Sequence, residues 1–139
     1  MSGPEALTIV IGYDGSDAAR RGLARVHDLG GSAARVLVLA VASDLRSPGL
    51  ASQLAGGAFD GERLTEEAFD LLGAREDRHV EVRTPAGDPA VVLVEAAREV
   101  AADLLVVGRR GGDFVARTLL GSVAQRVVQQ APCDVLVVA

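Results

Sequence analysis

The chain has 139 residues, nearly half of them hydrophobic and 3% aromatic, and a net charge of −5, which suits one well-buried core and predicts a single domain over residues 1–139. An acidic balance argues against non-specific binding to nucleic acid or to an acidic membrane surface. All fourteen basic residues are arginine, so a lysine Schiff base, a lysine general base and the lysine of a P-loop are excluded.

The first five residues, Met1-Ser2-Gly3-Pro4-Glu5, lack the basic and apolar regions of a signal peptide. No apolar run approaches the ~20 residues that span a bilayer, so a cytoplasmic protein is expected. Leu7 to Tyr13 reads as a first strand, ending in Gly12-Tyr13-Asp14-Gly15-Ser16. Ser16 is placed to cap the next helix, with Asp17 in its first turn. Ala19, Leu23 and Val26 recur at helical spacing, and Gly30-Gly31 supplies the stop. Val36 to Val41 is a second, almost wholly aliphatic strand. Ser43 to Gly61 reads as a loop rich in Ser, Gly, Pro and Ala.

A helix is predicted from Glu62 to about Ala74, with Leu64, Ala68, Leu71 and Leu72 on its buried face and the carboxylates from Glu62 to Glu67 solvated. His79 to Thr84 reads as the third strand. Gly87-Asp88-Pro89 marks a helix start, Asp88 as N-cap and Pro89 in the first turn, with Val92, Leu93, Ala96, Ala97 and Val100 facing inward. Asp103 to Val107 is the fourth strand. The last helix begins near Ser122, where Ser122 and Gln125 match a capping box and Val123, Val127, Val128 and Ala131 face the core. Cys133, the only cysteine, excludes an internal disulfide and a Cys-based zinc site, and reads as a small packed residue. Val135 to Val138 is the fifth strand. His27 and His79 fall far apart and read as packed or solvated, with no third partner for a metal.

Strands separated by helices imply an α/β fold: a doubly wound, five-stranded parallel sheet with right-handed crossovers. In the order 3-2-1-4-5, strands one and four lie side by side where the strand order reverses, and a ligand binds outside the carboxyl ends of the strands at that point. Both strand ends are glycine-rich. After strand four, Gly108-Arg109-Arg110-Gly111 is followed by nine residues and then Gly121-Ser122 at a helix start. Glycines let backbone N–H groups approach phosphate closely, and the unsatisfied donors of a first helical turn point at the anion. Arg109 and Arg110 can reach phosphate from the same loop. The pattern differs from the dinucleotide Gly-x-Gly-x-x-Gly, and no Gly-x-Ser-x-Gly elbow of a hydrolase occurs.

Gly-x-x-Gly, nine residues, Gly-Ser resembles the ATP-binding signature of the universal stress protein family. Ile9 to Ser16 resembles that family's opening strand and Asp-Gly-Ser turn, Gly87-Asp88-Pro89 its Gly-x-Pro, and Ala131 to Val138 its closing strand. The chain departs from the family at Ala40, where a histidine is common, and in its glycine-rich segment between strands two and three. The resemblance implies a Rossmann-like fold of the adenine nucleotide alpha hydrolase type. It implies Asp14 near ribose and adenine, Val41 against the adenine, and Val107 and Gly108 along the adenine and ribose. It also implies Gly111, Gly121, Ser122 and Val123 at the phosphates. ATP is the implied ligand, with Mg²⁺ carried on its phosphates and no protein ligands assigned to the metal.

Three functions compete on these residues. The leading one is a nucleotide-dependent regulatory module of the stress response, acting on a protein partner. The second is a slow ATPase or autophosphorylating enzyme using the same pocket, although no base stands near Ser122 to activate water. The third is a nucleotide-independent interaction protein. The aliphatic edge Val135 to Val138 points to a homodimer under the first and third, because an uncovered β edge readily pairs.

Overall fold

The aliphatic runs form a parallel sheet, as their composition requires. In the computed structural model, residues 6–30, 34–43, 60–73, 79–109 and 120–139 are described. In chain order the elements are β1 (Thr8–Gly12), α1 (Asp17–Gly30), β2 (Arg35–Leu39), β3 (Ala42–Ser43), α2 (Gly61–Leu72), β4 (His79–Arg83), β5 (Ala86–Gly87), α3 (Pro89–Glu99), β6 (Leu104–Gly108), α4 (Ser122–Gln130) and β7 (Asp134–Val138).

The main sheet runs β4-β2-β1-β6-β7, all parallel. Counting its five strands along the chain, this is the expected order 3-2-1-4-5. A two-stranded parallel sheet of β3 and β5, absent from the sequence reading, continues β2 and β4 beyond their ends.

Strand alternation divides the core into two layers. Ile9, Ile11, Val36 and Val38 point to the α1 and α2 side, where they pack with Leu23, Val26, Leu64, Ala68 and Leu72. Val10, Leu37, Leu39, Leu105 and Val107 point to the opposite side, against Leu93, Val94, Ala97, Ala124 and Val127 of α3 and α4. Each aliphatic side chain buried this way contributes about 1.5–3 kcal/mol of transfer free energy, which explains why the central strands are near-continuous Val, Leu and Ile.

The helix starts follow local chemistry. Ser16 Oγ accepts from Ala19 N–H at 3.2 Å, and Asp60 Oδ1 accepts from Arg63 N–H at 3.1 Å. Asp88 caps α3 through Ala90 N–H at 3.1 Å, with Pro89 in the first turn as expected.

Two core-face positions and one helix cap depart from the sequence reading. Leu64, Ala68 and Leu72 already stack at four-residue spacing, so their neighbour Leu71 rotates outward and is exposed. Val128 is likewise exposed, because Ala124 and Val127 take the inward face of the short helix α4. The third is Ser122, which is the first helical residue rather than the N-cap. Gly121 holds the cap position with no side-chain capping bond, so the Ser122–Gln125 box does not form. Among the described residues no helix is long and apolar enough to cross a membrane.

Candidate functional site

β1 and β6 pair directly, Ile9 with Leu104 through Ile11 with Val106, and both end in glycine. Beyond those ends the sheet order reverses and a crevice of about 160 Å³ opens. The β1–α1 turn walls it with Gly12, Tyr13, Asp14 and Ser16, and Leu39 and Val41 come from the end of β2. Ala19 of α1, Pro89 and Leu93 of α3, Val107 and Gly108 of β6, and Val123 of α4 complete the lining.

Gly12 packs closely: a Cβ there would lie 3.1 Å from Leu93 Cδ1, so that side chain would have to shift by a few tenths of an ångström. Gly15 adopts φ +80°, a left-handed conformation that permits the sharp turn into α1. In that turn Asp14 Oδ1 accepts from Ser16 N–H at 2.9 Å, which fixes the carboxylate at the crevice mouth. Among the described residues no hydrogen bond engages its second oxygen.

Just past β2 the chain is bonded toward its β4 side. Ala40 N–H donates to Arg83 O at 3.0 Å and Ala42 N–H to Pro85 O at 2.8 Å. Strand alternation turns the N–H and C=O of Val41, between them, to the opposite side, where Leu39 O accepts from Tyr13 N–H at 2.9 Å. One donor and one acceptor of the backbone therefore face the crevice side by side.

At the other wall, Arg109 N–H donates to Val138 O at 2.7 Å, and Gly121 N–H donates to Arg109 O at 2.8 Å. These bonds bring the first turn of α4 to the end of β6. With Gly121 as the cap residue, no side-chain oxygen occupies the first-turn N–H groups, which carry the positive end of the helix dipole. The next contact across this region is ionic: both oxygens of Asp88 lie 2.9 Å from Arg126 Nη1, joining the start of α3 to α4. The Arg126 guanidinium holds the Asp88 carboxyl below the usual carboxylate range.

Of the residues singled out in the sequence, Asp14, Val41, Val107, Gly108 and Val123 line one crevice. Gly121 and Ser122 stand at the adjoining start of α4. Gly111 and Arg110 lie outside the described residues. The sequence reading missed Tyr13, Leu39, Pro89 and Leu93. It also misplaced Glu67, expected to be solvated: its Oε1 accepts from the buried Tyr13 hydroxyl at 2.6 Å. The available signal was Tyr13 itself, since a buried tyrosine hydroxyl demands a partner. Among the described residues no cluster of three His, Cys, Asp or Glu is arranged to hold a metal.

An open, doubly wound parallel sheet with a crevice at its switch point defines the Rossmann-like class of α/β proteins. Within that class the chain belongs to the universal stress protein family, whose model matches residues 6–139. It is 33% identical over 138 residues to a universal stress protein of Mycobacterium tuberculosis, covering 94% of each chain. It is 37% identical over 137 residues to one from Thermus aquaticus, covering 94% of this chain and 97% of the other. A solved universal stress protein in complex with cAMP is 34% identical and superposes with a TM-score of 0.74, over 96% of this chain and 97% of that one.

Proposed function

We propose that this universal stress protein is an adenine-nucleotide-binding regulatory module that holds ATP, with Mg²⁺ on the phosphates, in the switch-point crevice. The observation that carries the reading is the Val41 backbone, turned toward the crevice by alternation between Ala40 and Ala42 and without a hydrogen-bond partner among the described residues. A neighbouring N–H and C=O match the N1 acceptor and N6 donor of adenine, whereas guanine presents the reverse polarity on that edge.

The rest of the site follows outward from the base. Asp14, fixed by its bond from Ser16, accepts ribose hydroxyls, as a strand-end carboxylate does in dinucleotide sites. Val107 and Gly108 pack along adenine and ribose. At about 160 Å³ the crevice is smaller than the roughly 300–1,000 Å³ that encloses a whole ligand, so it suits the base and ribose end. The phosphates then lie toward α4, with Gly111, Gly121, Ser122 and Val123 as their backbone and hydroxyl donors. A relative of 34% identity in complex with cAMP supports an adenine nucleotide as the ligand class. The protein partner that reads the loaded state is a second component of the proposal, with the cytoplasm as its setting.

A homodimer through β7 belongs to the same reading. β7 pairs with β6 on one side, and among the described residues no strand covers its other edge. Val137→Pro should then give a monomer by light scattering, and a persistent dimer would refute this interface.

The binding reading is tested by calorimetric titration of nucleotide-stripped protein with Mg-ATP and Mg-GTP. ATP should bind clearly tighter than GTP. Gly121→Val is the informative variant, because φ −65° and ψ 162° at this position are open to any residue. A side chain there should block phosphate approach without straining the backbone, weakening ATP by about tenfold or more. Equal affinity for both nucleotides, or wild-type affinity in Gly121→Val, would overturn the assignment.

A further inference from the structure

Tyr13 occupies an unusual position between the crevice and helix α2. Its backbone lies at the end of β1, pinned by Tyr13 N–H to Leu39 O at 2.9 Å, and the residue lines the crevice directly before Asp14. Its side chain leaves the crevice for the other layer of the core and is 2% exposed. There the hydroxyl donates to Glu67 Oε1 at 2.6 Å, a distance typical of a bond to a charged acceptor. Glu67 is in turn held by Arg20 Nη2 and Arg63 Nη1, each at 3.4 Å. A second contact joins the same two elements, because Leu64 of α2 sits under the turn, its Cδ2 3.1 Å from where a Cβ on Gly15 would be.

The protonation states suit a fixed donor and acceptor. Burial, and then the bond to Glu67, push the Tyr13 phenol up to about 12, so it stays a donor. The Tyr13 hydroxyl holds Glu67 below the usual carboxylate range, so it stays an acceptor.

We infer that Tyr13 is a positioning residue for Asp14: its hydrogen bond to Glu67 ties the β1–α1 turn to α2, so that nucleotide binding and the docking of α2 are thermodynamically linked. The binding half of this rests on the nucleotide reading above. Linkage is reciprocal: a ligand that needs the turn ordered tightens α2, and loosening α2 weakens the ligand.

Four variants test it: Tyr13→Phe, Glu67→Ala, Glu67→Gln and the double Tyr13→Phe/Glu67→Ala. Amide hydrogen exchange of α2 is followed with and without Mg-ATP, and ATP affinity is titrated. Without nucleotide, exchange in α2 should speed up about tenfold in Tyr13→Phe, as loss of a bond to a charged group implies, and at least as much in Glu67→Ala, which also removes the Arg20 and Arg63 contacts and leaves the Tyr13 hydroxyl unpaired. The double variant should be no worse than Glu67→Ala alone, and Glu67→Gln, which retains an acceptor oxygen, should recover part of the loss. ATP should slow exchange in α2 of the wild type but much less in Tyr13→Phe, whose ATP affinity falls by a similar factor. Additive losses in the double variant, or ATP binding that leaves wild-type α2 exchange unchanged, would overturn the inference. If the wild type binds no ATP, the nucleotide reading fails and the linkage with it. The nucleotide-free exchange still decides separately whether the Tyr13–Glu67 bond docks α2. Should Tyr13→Phe not fold, the Glu67→Gln and Glu67→Ala pair supplies the same comparison.

Discussion

Asp88 performs two tasks that substitution can separate. Its Oδ1 caps α3 by accepting from Ala90 N–H at 3.1 Å, and its two oxygens both meet Arg126 Nη1 at 2.9 Å. Loss of an N-cap oxygen costs about 1 kcal/mol. The ion pair is 40% and 42% exposed at its two ends, so solvent screening limits it to about 0.2–1 kcal/mol. Asp88→Ala should therefore destabilise the fold by about 1.5 kcal/mol, lowering Tm by about 5 °C in a chain of this size. Asp88→Asn keeps a capping oxygen and loses the charge, so its cost should be about 0.5 kcal/mol. The pH dependence has a definite sign. Arg126 lowers the folded-state pKa of Asp88, so the charge contribution is present above the unfolded pKa and is lost as pH falls through the folded one. Thermal and urea unfolding followed by circular dichroism, at neutral pH and in acid, measure both parts. The reasoning fails if Asn proves as damaging as Ala, or if the gap between wild type and Asp88→Asn persists in acid.

Three further outcomes follow from the core and the turn. Tyr13 is the only tyrosine and tryptophan is absent, so phenolate absorbance reports one group, and the folded protein should titrate near pH 12 rather than 10. Because that pKa is raised on folding, its stabilisation is complete below about pH 10 and is lost toward pH 12; titration at the ordinary pH in the folded state would contradict the Tyr13–Glu67 bond. Leu105→Ala, at a fully buried site in β6, should cost about 2–5 kcal/mol in urea unfolding, and a near-neutral result would mean the layer is not packed. Cys133 should alkylate slowly at neutral pH and rapidly once unfolded, since burial and then Asp134 and Asp103 push its thiol up.

The legible parts of this chain were those decided by neighbours in sequence. Val10, Val38, Leu105 and Val106 sit in aliphatic runs that suit only strands buried on both faces, and the intervening helices then fix parallel pairing. Asp88-Pro89 announced a helix start because cap and φ are set within two residues. Convergence of the Gly12 to Ser16 turn with Gly108 followed from strand order, while Val107 came from the family resemblance.

What escaped depended on partners distant in sequence or on a single turn of register. The partner of Tyr13 lies 54 residues away, and nothing near Glu67 distinguishes it from the solvated Glu66. Ser122 carried a capping-box spacing, yet with Gly121 N–H donating to Arg109 O, and Arg109 N–H to Val138 O, the cap falls one residue earlier. That shift matters for the site, because a serine at the cap would compete for the first-turn N–H groups that the glycine leaves to a ligand. β3 and β5, at two residues each, are too short for any period to register, although they hold the Val41 backbone toward the crevice.

Amide chemical-shift mapping with Mg-ATP tests the proposed placement of adenine nucleotide between the ends of β1 and β6. Saturable shifts are expected at Gly12 to Ser16, Val41, Val107, Gly108 and Gly121 to Val123, with β4 and the N-terminal ends of the strands undisturbed. Saturable shifts clustered elsewhere, or none at millimolar Mg-ATP, would contradict it.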